Sequence, residues 1–377
     1  MKRGVVACGV AAVTLYVIAA GAQHMPDTQV PVQGAQPNSV LKPVPAAGAN
    51  WRHALAGPKT PDIPMASAPD FLKLPAGMYL GETMGIARNS RGQIYVFTRM
   101  GTGSRLLQFD RTGTFMREIG RNSYAFAMAH GVYVDAQDYV WTTDEGTNTV
   151  IKWNPTSARP EMILGRRHDV AAWLIPTLAP IPPPDPYAFN RPSDVVTDAQ
   201  GNIFVADGYN NSRAIKYDKN GRFVASTVGT RGRLPNQMHL VHSITADHEG
   251  NVYVADRNNG RIQVFSNDLT LRAIYDHVGS PWSVCITPGP HQYLYSSNSN
   301  PDQNVADVAG VTGQIFKMEL DGTVIGKFGK AGKALGEFST VHDIDCRVEN
   351  EVLVGEITAW RAQKLTLSPA GMQRRNP

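Results

Sequence analysis

Six times along the chain a short apolar strand runs into a polar turn carrying Gly or Asn, then into a second apolar strand closing on Asp, Glu, Thr or Arg. The copies are MGIARNSRGQIYVFTR from Met84, HGVYVDAQDYVWTTD from His130, PSDVVTDAQGNIFVADGY from Pro192, HSITADHEGNVYVADR from His242, WSVCITPGPHQYLYSS from Trp282 and HDIDCRVENEVLVGE from His342. Most add a third strand such as RIQVFS or AIKYDK, a turn such as KNGR or LDGT, and a fourth strand such as VIGKFG. A unit of four short strands rich in Val, Ile, Tyr and Phe cannot bury its apolar faces alone, whereas units stacked around an axis can. The expected fold is therefore all-β, a six-bladed β-propeller with one blade per copy.

Two copies are lengthened. Residues 165 to 190 contain the run LAPIPPPDP, where proline removes ladder donors, and the stretch SNSNPDQNVADVAGVTG around residue 305 is polar and Gly-rich. Both are expected to be loops, and loops of such length are usually functional or mobile. The sixth copy offers three strands, VHDIDC, EVLVGE and QKLTL, and lacks an outer one. Residues 69 to 80 (PDFLKLPAGMYL) are expected to supply it, so that the propeller spans residues 69 to 368, with 369 to 377 as a C-terminal tail.

A length of 377 residues ordinarily suggests two or more domains, but six blades absorb nearly all of it. Net charge is only +4 with scattered basic residues, which leaves no basic stripe for nucleic acid. The start MKR, the apolar run VVACGVAAVTLYVIAA and the small residues Ala20-Gly21-Ala22 form a secretory signal over residues 1 to 22, with an uncleaved membrane anchor as the alternative. Residues 23 to 68, rich in Pro, Ala, Gly and Gln, are expected to be a disordered tether. A secreted or periplasmic protein follows, without a stable membrane domain unless the signal is retained. Cys285 and Cys346 lie in the first strands of neighbouring copies, one position out of phase. That phase points their side chains to opposite faces, so two small buried residues are expected, although an oxidising compartment would permit a bridge.

The residues that open the six copies are Met84, His130, Pro192, His242, Trp282 and His342, with histidine in every second blade. Alternate blades are about a third of a turn apart, and inner strands line the channel. Three imidazoles then converge on the axis and leave a fourth ligand position open, as in a catalytic zinc site. The remaining histidines, His24, His53, His168, His239, His248, His277 and His291, fall in the tether, an insertion, turns or outside the strand cores, and read as surface or satisfied groups. Arg99, Gly208 and Arg257 share a register at the end of the second strand, with Tyr209 next to Gly208. Two guanidiniums there suit a carboxylate in fork geometry, and a tyrosine beside a metal and an arginine can have its pKa lowered enough to act as a base.

The stretch FNRPSDVVTDAQGNIFVADGYNNSRAIKYDKNGRF, followed by HSITADHEGNVYVADRNNGRIQVF, resembles the NHL-repeat propeller of peptidyl-α-hydroxyglycine α-amidating lyase. The core G-N-[IV]-[YF]-V-[AT]-D is common to NHL propellers, while DGYNNSR, ADRNNGRIQ and the histidines carry the specific likeness, from about Leu80 to the sixth copy. The resemblance implies that His130, His242 and His342 hold zinc, that Tyr209 is the base and that Arg99 and Arg257 are active-site arginines. It also implies a structural calcium ion on the carbonyls of Ile86 and Val132 and the carboxylate of Asp343. The implied reaction splits peptide-NH-CH(OH)-COOH into a peptide amide and glyoxylate without a redox cofactor. The expected partner is a small-molecule or peptide substrate with a terminal carboxylate, taken by a monomer. Asn210 and the stretch VYVADRNNGRIQVF lack the cysteines of animal members, and Thr340 stands where the family places a methionine. No attached copper hydroxylase domain is expected, so the hydroxylated substrate is expected from another protein, or the natural substrate is some other small or peptide carbinolamide. The alternative is a non-catalytic NHL propeller acting as an extracytoplasmic protein- or ligand-binding module. A lactonase-like calcium hydrolase fits less well, since such sites use carboxylates and Asn.

Overall fold

Each copy of the repeat becomes one antiparallel four-stranded sheet, six in all, in a computed structural model that describes residues 60–99, 103–167, 185–299 and 312–368. Blades 1 to 5 are continuous, over residues 82–119, 129–165, 194–226, 241–275 and 281–328. Their inner strands are Glu82–Arg88, Ala129–Val134, Asp194–Thr197, Val241–Ala246 and Pro281–Ile286, and that of blade 6 is Val341–Val348. Each inner strand packs on the next, and Val341–Val348 packs back on Glu82–Arg88, so the ring is closed. Second strands such as Ile203–Asp207 and Val252–Asp256 are buried throughout. Neighbouring blades cover both of their faces, which explains the continuous apolar runs IFVA and VYVA. The expected signal segment, most of the expected tether, His168 with most of the proline run, residues 300–311 and the expected tail lie outside the described residues. No helix among the described residues is long and apolar enough to cross a membrane.

The repeated turn has a local cause. Asn89, Asp135 and Asp198 each accept the backbone N–H groups two and four residues on through Oδ1. This Asx turn delivers the chain into left-handed backbone at Gly92, Asp138 and Gly201, with φ of 77°, 66° and 81°. Gly and Asx tolerate that conformation.

Closure comes from the N-terminal side, but from a different segment than expected. Met65–Ala68 pairs antiparallel with Arg361–Leu367, from Met65 opposite Leu367 to Ala68 opposite Lys364. The last residues of the expected tether are thus the outer strand of blade 6. Residues 69 to 80 carry Pro69, Pro75 and Gly77, a poor ladder sequence. They lie along blade 1 instead, where Lys73 donates to the Gly113 carbonyl and its own carbonyl accepts from Phe115. Phe71, Leu72, Leu74, Met78 and Leu80 pack on the core of blade 1.

Cys285 and Cys346 are bridged, with Cα atoms 6.1 Å apart. The phase argument drawn from sequence inverts once blades stack. Side chains that meet between two neighbouring sheets must leave opposite faces of their own sheets, so the one-residue offset is what lets them meet. Asp345 faces the other way, accepting from the Arg88 N–H in blade 1. The bridge closes a separation of 61 residues. Its reduction, or Cys346→Ser, is expected to lower stability by about 4 kcal/mol on a chain-entropy account. Thermal unfolding with and without reductant checks this, and superimposable curves would contradict it.

Candidate metal centre

His130, His242 and His342 form a nearly equilateral triangle on the axis, with ring centroids 4.7, 4.7 and 4.8 Å apart. The loop entering each inner strand is pinned three residues before the histidine. There Ala127, His239 and Ser339 donate their N–H groups to Asp144, Asp256 and Glu356 at the ends of the second strands. The acid that closes the repeat motif is therefore what positions the histidine.

The odd blades complete the arrangement. His130 Nδ1 lies 2.6 Å from the Ser193 carbonyl, His242 Nδ1 2.6 Å from that of Trp282, and His342 Nδ1 2.5 Å from that of Met84. A carbonyl oxygen only accepts, so each Nδ1 carries the proton and each Nε2 keeps a lone pair. Strand pairing sets Val195 opposite Val205 and Ile244 opposite Val254, which aligns Ser193 with His242. Pro192, expected at that register, sits one residue outside it. The alternation thus has a cause: each odd blade offers the carbonyl that fixes the tautomer of the histidine on the blade before it.

All three rings are buried. Burial first, with nearby guanidiniums or imidazoles adding to it, holds them well below the ordinary imidazole range. Nε2 of His242 and of His342 are buried without a partner, and His130 Nε2 accepts from the Tyr209 hydroxyl at 3.0 Å. Neutral imidazoles with converging lone pairs, two of them unsatisfied, fit a borderline metal ion, and their nitrogen atoms suit zinc better than calcium or magnesium. In the metal-free protein the folded pKa values lie below the unfolded value of 6.5, so stability is full above that pH and falls as pH drops below it. With three such groups the limiting slope is about 4 kcal/mol per pH unit. Melting curves of metal-free protein between pH 7.5 and 5 test this, and a flat melting temperature would contradict it.

Tyr209 stands against the triangle, its ring 5.4 Å from His130 and 6.0 Å from His242. Arg99 is held at 2.7 Å by both Glu82 and Glu145. The second oxygen of Glu145 holds Arg191 at 2.9 Å, and the Arg191 guanidinium lies 4.6 Å over the Tyr209 ring. Arg257 stacks on Trp282 at 3.5 Å, and the Trp282 ring is 4.9 Å from that of His242. Arg99 and Arg257 do come to one site, but Arg99 is engaged by two carboxylates. Glu145 and Arg191 are neighbours that sequence reasoning missed, and Trp282, which it placed at the channel register, is a third without a role read from sequence. The phenol of Tyr209 is pushed up to about 12, by burial first and by Glu145 second, against the pull of Arg257, Arg99 and Arg191. Without a metal ion burial outweighs the three cations, and the lowering expected from sequence is one that a metal beside the phenol would supply.

One residue further along the inner strands lies a second tier. Asp343 accepts from the Ile86 N–H at 2.9 Å, the Ser283 hydroxyl at 3.0 Å and the Ile344 N–H at 2.9 Å. Asp194, which the sequence reading did not single out, accepts from the Ser243 hydroxyl at 2.7 Å and from Val195 and Ile244. Burial lifts Asp194 to about 6, and burial together with the Asp194 charge lifts Asp343 well above the carboxylate range. A Cβ on Gly85 would lie 2.6 Å from the Val132 nitrogen, so glycine is required for blades 1 and 2 to approach here. Asp343 is thus joined to Ile86 through its N–H, Val132 approaches from blade 2, and the oxygens of the two carboxylates Asp343 and Asp194 are of the kind a hard cation takes.

The NHL repeat family matches residues 189–213 and 240–265. The chain is 29% identical over 296 residues to peptidyl-glycine alpha-amidating monooxygenase B of Xenopus laevis, covering 75% of this chain and 31% of that protein. It is 30% identical over 212 residues to a probable peptidyl-alpha-hydroxyglycine alpha-amidating lyase of Caenorhabditis elegans, covering 51% of this chain and 57% of that one. The match therefore takes in less than a third of the first relative's length and just over half of the second's. Among solved structures, a protein of unknown function from Bacteroides thetaiotaomicron superposes with a TM-score of 0.56 at 12% identity, over 81% of this chain and 77% of that one, a likeness of fold.

Proposed function

We propose, from its standing as a six-bladed NHL-repeat propeller with homologues among the amidating lyases, that the chain is a zinc-dependent lyase. It cleaves a peptidyl-α-hydroxyglycine to a peptide amide and glyoxylate. One observation supports this above the others: three tautomer-locked imidazoles converge through Nε2 on one point, those of His242 and His342 without a partner and that of His130 shared only with the Tyr209 hydroxyl, with three arginines around them. Zinc held by Nε2 of His130, His242 and His342 would supply a Lewis acid for the oxygen on which negative charge develops.

The chain's own groups account for the rest. Arg257 and Arg191 hold the substrate carboxylate, since guanidinium pairs with carboxylate in bidentate fashion. Tyr209, as phenolate, takes the proton of the carbinolamide hydroxyl; the electron pair of that O–H becomes the C=O of glyoxylate as the C–N bond breaks. The proton passes to the departing amide nitrogen, so atoms and charge balance without an oxidant. Burial of the triangle excludes water from the developing charge. Asp343 and Asp194, with the carbonyls of Ile86 and Val132, would hold a structural calcium that relieves the repulsion between the two carboxylates. The Cys285–Cys346 bridge and the N-terminal signal motif support an extracytoplasmic setting, in which the propeller works as a monomer.

Glyoxylate release from an α-hydroxyglycine peptide, measured on purified protein alongside its metal content, tests the assignment. Release with zinc near one per chain is expected. A protein that carries only calcium and releases no glyoxylate would be a binding module instead.

A further inference from the structure

We propose that Trp282 is a substrate-binding residue of this centre, its indole Nε1–H donating to an anionic oxygen of the bound ligand while its ring holds Arg257 toward the same ligand. The inference rests on the lyase reading for the identity of the ligand. Its structural basis is independent of that reading.

Nine buried side-chain atoms among the described residues lack a hydrogen-bond partner, and three belong to this centre: Nε2 of His242, Nε2 of His342 and Nε1 of Trp282. A metal ion satisfies the first two. It cannot satisfy the third, because an indole nitrogen only donates and has no lone pair to offer. An unmade hydrogen bond in a buried site is costly, and the fold avoids it at the two other buried indoles among the described residues. Trp141 Nε1 donates to Asp135 at 2.9 Å and Trp153 Nε1 to Thr142 at 2.8 Å. Trp282 is also buried, at 5% exposure.

The surroundings specify what the acceptor is. The Arg257 guanidinium stacks on the indole at 3.5 Å, and the rings of His242 and His342 lie 4.9 and 5.8 Å from it. A donor beside a fixed cation and two electron-pair donors that seat a metal selects an anionic oxygen, as in a carboxylate. The equivalent residues of the other odd blades offer nothing comparable. Met84 has no donor side chain, and the Ser193 hydroxyl is already committed to the carbonyls of Ala206 and Val241. Blade 5 therefore contributes both a carbonyl that orients His242 and a side chain that reads the ligand.

The test uses Trp282→Phe, which keeps an aromatic face for Arg257 and removes only the N–H, with Trp282→Leu removing both. Calorimetric binding of hippurate, an unreactive N-acylglycine, to zinc-loaded protein is compared with that of hippuramide, which lacks the carboxylate. Trp282→Phe is expected to weaken hippurate binding and to raise KM for α-hydroxyhippurate by about 10-fold or more, the worth of a hydrogen bond to a charged group. Hippuramide binding, zinc content and melting temperature should be unchanged. If wild type releases glyoxylate and Trp282→Phe keeps hippurate affinity and KM within about twofold, short of the loss a charged hydrogen bond brings, the Trp282 assignment is overturned and the lyase reading stands. Selective loss of hippurate binding without glyoxylate release by wild type supports the assignment and removes the lyase. A wild type that neither binds hippurate nor releases glyoxylate removes both.

Discussion

His242→Ala is expected to leave the protein folded, to lower bound zinc from near one per chain to a small fraction after dialysis, and to reduce glyoxylate release by at least about 10³-fold. The three imidazoles act as a unit, since each supplies one lone pair to a common point and none can replace another across centroid spacings of 4.7 to 4.8 Å. Removing one leaves two nitrogen ligands, too few for the tetrahedral sites that zinc prefers. The structural loss is smaller. It comprises the hydrogen bond from Nδ1 to the Trp282 carbonyl and the space of one ring, together about 1–3 kcal/mol. At acidic pH part of this is returned, because one fewer neutral histidine has to be kept buried against protonation. His248 sits in an exposed turn and bonds to Gln292, so His248→Ala is the control and should change neither zinc nor rate. A His242→Ala protein that retains stoichiometric zinc and a tenth of the activity would sink the three-histidine site.

The histidine triangle was legible because the repeat fixes register and register fixes direction. What the repeat could not display were backbone atoms and faces. The carbonyls of Ser193, Trp282 and Met84 set the tautomers, and no side chain announces them. Pro192 precedes the true first position of blade 3 by one residue; counting back from the turn at Asp198, as from Asp247 in blade 4, leads to Ser193. Face alternation within one sheet says nothing of the Cys285–Cys346 bridge, because bridging is a relation between two sheets. Met65–Ala68 was hidden in a polar, Pro-rich stretch, since a closing strand of four residues carries little pattern of its own. Glu145 and Arg191 lie in loops outside the aligned strands, and the burial that raises the Tyr209 phenol in the protein without a metal ion belongs to the tertiary structure.

Tyr209→Phe is the sharper test of chemistry, since it should separate rate from metal. The substitution removes one oxygen and keeps the ring that packs edge-on to His130 at 5.4 Å and beneath Arg191 at 4.6 Å. Zinc content and melting temperature should therefore match wild type, while kcat falls by about 10² to 10⁴-fold, the usual worth of a positioned proton acceptor. The direction of the pH profile follows from the electrostatics. In the protein alone burial and Glu145 push the phenol up to about 12, and Arg257, Arg99 and Arg191 act against that push. A cation seated at the Nε2 atoms adds to the same pull, because the hydroxyl lies 3.0 Å from His130 Nε2. The wild-type rate should rise with pH until the phenol is ionised, and the residual rate of Tyr209→Phe should lack that limb. Glu145→Gln removes a charge that opposes ionisation, so it should move the limb to lower pH. Wild-type-like kcat in zinc-loaded Tyr209→Phe would transfer the proton to another acceptor; a lost limb with zinc retained ties it to the phenol, because no other change in that variant alters charge at the centre.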